Sequence, residues 1–129
     1  MLYAALAALC VALPLGMWLG SLHLVREEPP RRLGGVGVVH GLVGATCVAL
    51  LFLALRSPDR RGAAHGAGGF GWIAFWVLAA TLAGGLTIFV TYLRGKPVSP
   101  TLVAAHATAG IAGAVMLAAY FATPTSFGR

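Results

Sequence analysis

Acidic residues are nearly missing from this chain. Glu27, Glu28 and Asp59 are the only three, and charged side chains make up 9% of the 129 residues, against roughly a quarter in soluble domains. No ordinary water-facing surface can be built from that composition. None of the three acids falls inside an apolar run. That argues against a proton pump, a cation channel or a small multidrug exchanger, which need carboxylates within the membrane. Cysteine is scarce too. Cys10 and Cys47 stand alone, and without CxxC or CxxCH spacing they form neither a zinc site nor a covalent haem attachment. They read as free apolar thiols. The chain also lacks a glycine-rich phosphate loop, an HExxH motif and a paired nucleophile and base. Met1-Leu2-Tyr3 carries no Lys or Arg, and the first apolar run ends in bulky Leu22-His23-Leu24, so that run reads as a retained helix rather than a cleaved signal. Leu9 stands where a lipoprotein box needs a small residue before its cysteine.

What is present is hydrophobic: 59% of residues, with a mean hydropathy of +0.88. Four runs without formal charge extend from Leu2 to Val25, Leu33 to Leu55, Gly66 to Leu93 and Val98 to Phe127. A membrane span needs about 20 apolar residues, and each run is long enough. The sequence predicts helices over 2–24, 34–56, 70–93 and 100–121. Pro14 lies inside the first as an expected kink, which a membrane helix tolerates. Trp72, Phe75 and Trp76 open the third as an interfacial aromatic belt. Arg94-Gly95-Lys96-Pro97 makes a tight turn, and Ser99-Pro100 reads as an N-cap followed by proline at the first helical position. Connections this short place successive helices antiparallel, so the expected fold is all-α: one domain over residues 1–129, an integral membrane bundle of four transmembrane helices running up-down-up-down.

Arg26, Arg31, Arg32, Arg94 and Lys96 fall at one end of such a bundle, and Arg56, Arg60, Arg61 and Arg129 at the other. This near balance assigns no orientation under the positive-inside rule. The basic residues, which bring the pI to about 10.4, suit anionic lipid head groups rather than nucleic acid. A faint repeat runs through the chain. Laying His40 on His106 puts Gly44 on Gly110, and laying Arg26 on Arg94 puts Gly16 on Gly84; a two-residue gap joins the two alignments. The first and second helices therefore read as one hairpin and the third and fourth as its copy, related by an axis along the membrane normal.

Histidine is the one side chain inside the spans that ordinarily titrates near neutral pH, and such residues are functional candidates by default. His40 lies six residues after Gly34 and His106 six residues after Pro100, which is about 9 Å from the same end at 1.5 Å per residue. On parallel helices the two imidazoles share one depth. This is the arrangement of two axial ligands on a flat macrocycle standing between helices. Gly37, Gly41 and Gly44 surround His40; Ala105, Ala109, Gly110 and Gly113 surround His106; and Gly84 and Gly85 lie midway along the third helix. Small residues there would give room to a haem edge, or would simply let helices pack closely. At the same end, His23, Arg26, Arg31, Arg32, Tyr92, Arg94 and Lys96 are candidates to meet haem propionates, with His23 also the reserve ligand. The competing reading makes each histidine a hydrogen-bonded packing residue. His65 reads as solvated, and Met17 and Met116 as space-filling.

His40 and His106 on parallel helices of a four-helix span resemble the membrane-embedded b-type cytochromes, including cytochrome b561-like proteins and the haem-bearing anchor subunits of respiratory dehydrogenases. The chain departs from the two-haem b561 pattern, because His23 faces only Thr91 or Tyr92 across the bundle. The resemblance implies one non-covalent haem b held by His40 and His106. It also implies an electron-transfer subunit rather than an enzyme in its own right, relaying electrons between the quinone pool and other subunits of a redox complex, in a bacterial inner membrane. Quinone is the second ligand this reading admits. The alternative is a haem-free accessory subunit whose histidines bond to neighbouring helices, a lipid or a quinone.

Overall fold

Every element among the described residues is an α-helix, as the long apolar runs without apolar–polar alternation favour. A computed structural model describes residues 1–25, 34–57 and 68–122. Within them are α1 (Leu2–Val25), α2 (Gly34–Arg56), α3 (Gly68–Leu93) and α4 (Pro100–Ala122). All four are long and apolar enough to cross a membrane. Helix α1 runs unbroken through Pro14. Helix α3 begins two residues earlier than the sequence predicts, because the expected start at Phe70 follows glycines that extend the same turn. Arg26, Glu27, Glu28, Arg31, Arg32, Asp59, Arg60, Arg61, His65 and Arg129 lie outside the described residues.

The connection from α3 to α4 shows why its residues are where they are. Gly95 has φ +66°, a left-handed conformation that costs a residue with a Cβ but not glycine. Lys96 N–H donates to the Thr91 carbonyl at 3.2 Å and Gly95 N–H to the Tyr92 carbonyl at 3.0 Å, the paired bonds of a Schellman ending. Pro100 then starts α4, and Val103 N–H donates to the Ser99 carbonyl at 3.1 Å.

The helices pack as a closed ring, each against two others: α1 on α2, α2 on α3, α3 on α4 and α4 on α1. The interior divides into two parts. In one, Ala5, Leu9, Cys47, Leu51, Leu55, Ala74, Leu78, Leu117 and Tyr120 form a continuous buried core. Glycine lets the helices close tightly there: a Cβ on Gly113 would lie 2.7 Å from Leu78 Cδ2, and one on Gly71 would overlap Leu55. Phe52, Trp72, Phe75 and Trp76 cluster at this end with centroid separations of 5.1–6.3 Å, and the Arg56 guanidinium sits 4.7 Å above the Phe52 ring. The aromatic belt expected at the start of α3 is therefore built jointly with the end of α2. In the other part the packed core gives way to a cavity.

Polar side chains within the helices are mostly satisfied by their own helix. Thr46, Thr81, Thr87 and Thr91 each donate to the carbonyl four residues earlier, at 2.8–3.0 Å, which removes the cost of an unpaired hydroxyl on an apolar helix. Two of the histidines break this pattern. His40 and His106 bond across helices.

Candidate cofactor site

The cavity has a volume of about 540 Å³, within the range of sites that enclose an organic cofactor. All four helices line it, almost entirely with apolar side chains, and both His40 and His106 stand in its wall. The two rings have centroids 6.2 Å apart and planes inclined at 78°.

Each imidazole is fixed by the neighbouring helix in the same way. His40 Nδ1 lies 3.0 Å from the carbonyl oxygen of Ala12 on α1, and His106 Nδ1 lies 2.9 Å from that of Thr81 on α3. A carbonyl can only accept, so the proton of each ring resides on Nδ1 and Nε2 carries the lone pair. This is the outer hydrogen bond that orients a metal-binding histidine and makes it a better donor to the metal. One turn beyond each carbonyl is a glycine against which the ring leans. A Cβ on Gly16 would lie 2.7 Å from His40 Cε1, and a Cβ on Gly85 would lie 2.8 Å from His106 Cε1. Neither ring could occupy its place beside any larger residue.

These two cradles define the internal repeat more closely than the sequence does. Ala12 and Gly16 match Thr81 and Gly85 at a shift of 69 residues, while His40 and Gly44 match His106 and Gly110 at a shift of 66. The sequence reading pairs Gly16 with Gly84; the structure pairs it with Gly85, whose Cα supports the ring, whereas a Cβ on Gly84 would come no nearer to His106 than 3.8 Å. The same register unites the core. Ala5 and Ala74 are both fully buried, as are Leu51 and Leu117, and Leu9 and Leu78 are equally enclosed.

The other small residues divide by role. Gly41, Gly44 and Gly110 line the cavity; a Cβ on Gly41 or Gly44 would meet nothing within 4 Å, and one on Gly110 only the Thr81 methyl at 3.5 Å. Gly37 also reaches the cavity, but its Cα supports the Phe89 ring. Gly113, expected beside His106, instead closes the packed core against Leu78, so it gives no room to a ligand. Gly84, Ala105 and Ala109 do not reach the cavity wall.

His23 and Tyr92 form the far side of the cavity, with centroids 6.5 Å apart. His23 Nδ1 lies 3.0 Å from the Leu19 carbonyl of its own helix. Arg94 and Lys96 are exposed in the turn after α3 and do not line the cavity; Arg26, Arg31 and Arg32 lie outside the described residues. Cys10 and Cys47 are both unpaired, the first exposed and the second buried. Met17, expected to fill space, is 66% exposed. Sequence reasoning missed the carbonyls of Ala12 and Thr81, since a backbone acceptor leaves no mark on residue type. No protein family, curated protein or solved structure matches this chain.

Proposed function

We propose that the chain is a small membrane b-type cytochrome. Its four helices cross the bilayer up-down-up-down and bind one non-covalent haem b through His40 and His106. The observation that carries the reading is the matched pair of imidazoles, each with Nδ1 engaged by a carbonyl and Nε2 left with its lone pair. A metal about 2 Å from each of two Nε2 atoms puts ring centroids roughly 6 Å apart, in accord with the 6.2 Å separation. Gly41, Gly44 and Gly110 supply walls without side chains where a macrocycle would lie.

When bound, haem supplies a one-electron store. The residues do the rest. His40 and His106 would hold the haem through their Nε2 atoms, while Ala12 and Thr81 fix the ring tautomers and the apolar lining excludes water, which bears on potential through burial. In this reading electrons pass between quinone and another subunit of a redox complex, in the respiratory membrane of a bacterial type of cell.

The test is the visible spectrum of the detergent-purified protein, oxidised and reduced. A low-spin b-type spectrum is expected, and it should be lost in both His40→Ala and His106→Ala. A colourless preparation from a haem-replete host would instead favour the accessory-subunit reading. A spectrum that survives His106→Ala but not His23→Ala would reassign the second ligand.

A further inference from the structure

The two halves of the molecule match at the histidine cradles and part company beside them. By the same register Gly20 on α1 corresponds to Phe89 on α3, and His23 to Tyr92. Phe89 packs on Gly37, at 3.6 Å from a Cβ there, and fills the groove between α2 and α3. Its counterpart Gly20 leaves the groove between α1 and α4 open: a Cβ on Gly20 would first meet Val103 Cγ1 at 3.9 Å. A second cavity of about 250 Å³ lies in that groove, and Gly16, Met17, Gly20, Val103 and Ala107 line both it and the histidine cavity. The groove between α1 and α4 is thus open beside the histidine cavity.

His23 follows Gly20 on the same face of α1. With Nδ1 donating to Leu19, Nε2 is left as the ring's acceptor. That atom is the buried side-chain nitrogen or oxygen without a hydrogen-bond partner among the described residues. Leaving a buried acceptor unsatisfied is costly, so a ligand with a hydroxyl to donate would relieve it.

We propose that this groove and His23 form a quinol site, in which the isoprenoid tail enters between α1 and α4 past Gly20 and a ring hydroxyl donates to His23 Nε2. The proposal rests on the reading of the chain as a quinone-linked redox subunit, and it adds the place and polarity of the contact. Quinol in particular is favoured over quinone, because only the reduced ring carries O–H groups.

Binding of a decyl-tailed benzoquinol to the detergent-purified full chain, followed by calorimetric titration under reducing conditions, tests this. Its di-O-methyl ether, with the same ring and tail but no hydroxyl, should bind about ten-fold more weakly, the loss of one buried hydrogen bond. His23→Ala should weaken the quinol by a similar factor and abolish the preference over the ether, with His23→Gln restoring part of it. Gly20→Phe should close the groove as Phe89 does opposite, lowering affinity for the decyl quinol far more than for a methyl-tailed one. Circular dichroism confirms that each variant folds. Equal binding of quinol and ether by the wild type, or undiminished preference in His23→Ala, would overturn the proposal; so would a lipid glycerol hydroxyl competing on equal terms. The titration reads binding whether or not the protein is coloured. A colourless protein that binds quinol sinks the haem reading alone, and a haem-loaded one that does not sinks this site alone.

Discussion

The hairpin α1–α2 and the hairpin α3–α4 solve the same problem with different residues. Each buries an alanine and two leucines in the core, Ala5, Leu9 and Leu51 in one and Ala74, Leu78 and Leu117 in the other. Each also ties an imidazole to a backbone carbonyl beside a glycine. Identity of side chain is needed only where a contact is geometrically strict. At the carbonyl position alanine and threonine serve equally, because only the backbone is used. At the ring-supporting position both halves have glycine. Where the halves differ, at Gly20 against Phe89 and His23 against Tyr92, the groove between α1 and α4 is open at Gly20, whereas Phe89 packs on Gly37 between α2 and α3.

The equivalence is tested most severely in the core. Leu51 and Leu117 are both fully buried at matched positions, so truncating either should leave a comparable void. Leu51→Ala and Leu117→Ala are each expected to lower stability by about 2–5 kcal/mol, measured by unfolding in mixed detergent micelles. Leu53→Ala, at a position 49% exposed, supplies the surface control. A large loss at one buried leucine and a change within ~0.5 kcal/mol, typical of surface positions, at the other would break the comparison.

The ring-supporting glycines come next. A methyl group on Gly16 or Gly85 would lie 2.7 or 2.8 Å from a histidine carbon, so the imidazole or the helix must move. Gly16→Ala and Gly85→Ala are each expected to destabilise by about 1–3 kcal/mol, the range for overpacking, and to perturb the proposed low-spin spectrum. Gly84→Ala, whose nearest contact would be 3.8 Å, should do neither. If Gly84→Ala proves the more damaging of the two on α3, the 69-residue register is wrong and the Gly16–Gly84 alignment read from the sequence stands.

The helices were legible because apolar runs bounded by charge and proline have one economical solution in a membrane. The two histidines were legible as a pair because their spacing from helix starts is set by Gly34 and Pro100. The register of the repeat was not. Arg26 and Arg94 mark the ends of apolar runs rather than positions in the packed interior, so aligning them carried an error of one residue onto Gly84. The role of Gly113 was hidden for a different reason: seven residues beyond His106 it shares that residue's helical face, but it sits two turns deeper, against Leu78. Position on a face does not give depth. The opening at Gly20 was invisible as well, since it exists only by contrast with the bulk of Phe89.

The smallest expected effect separates the two meanings a glycine can have in a membrane helix. At Gly113 the absent side chain makes room for Leu78, so a methyl group clashes with protein whether or not anything is bound. At Gly44 a Cβ would meet nothing within 4 Å, and the position borders the cavity. With no ligand, Gly44→Ala should therefore leave stability nearly unchanged, or raise it by up to about 0.5–1 kcal/mol, the ordinary gain from replacing glycine inside a helix. A macrocycle lying against that wall would meet the added methyl group. The same substitution should then lower haem occupancy, read as the ratio of haem absorbance to protein, while the melting temperature of haem-depleted protein holds or rises. Gly110→Ala should act in the same direction, weakened by its contact with Thr81 at 3.5 Å. Occupancy untouched by both substitutions would assign these glycines to helix packing alone.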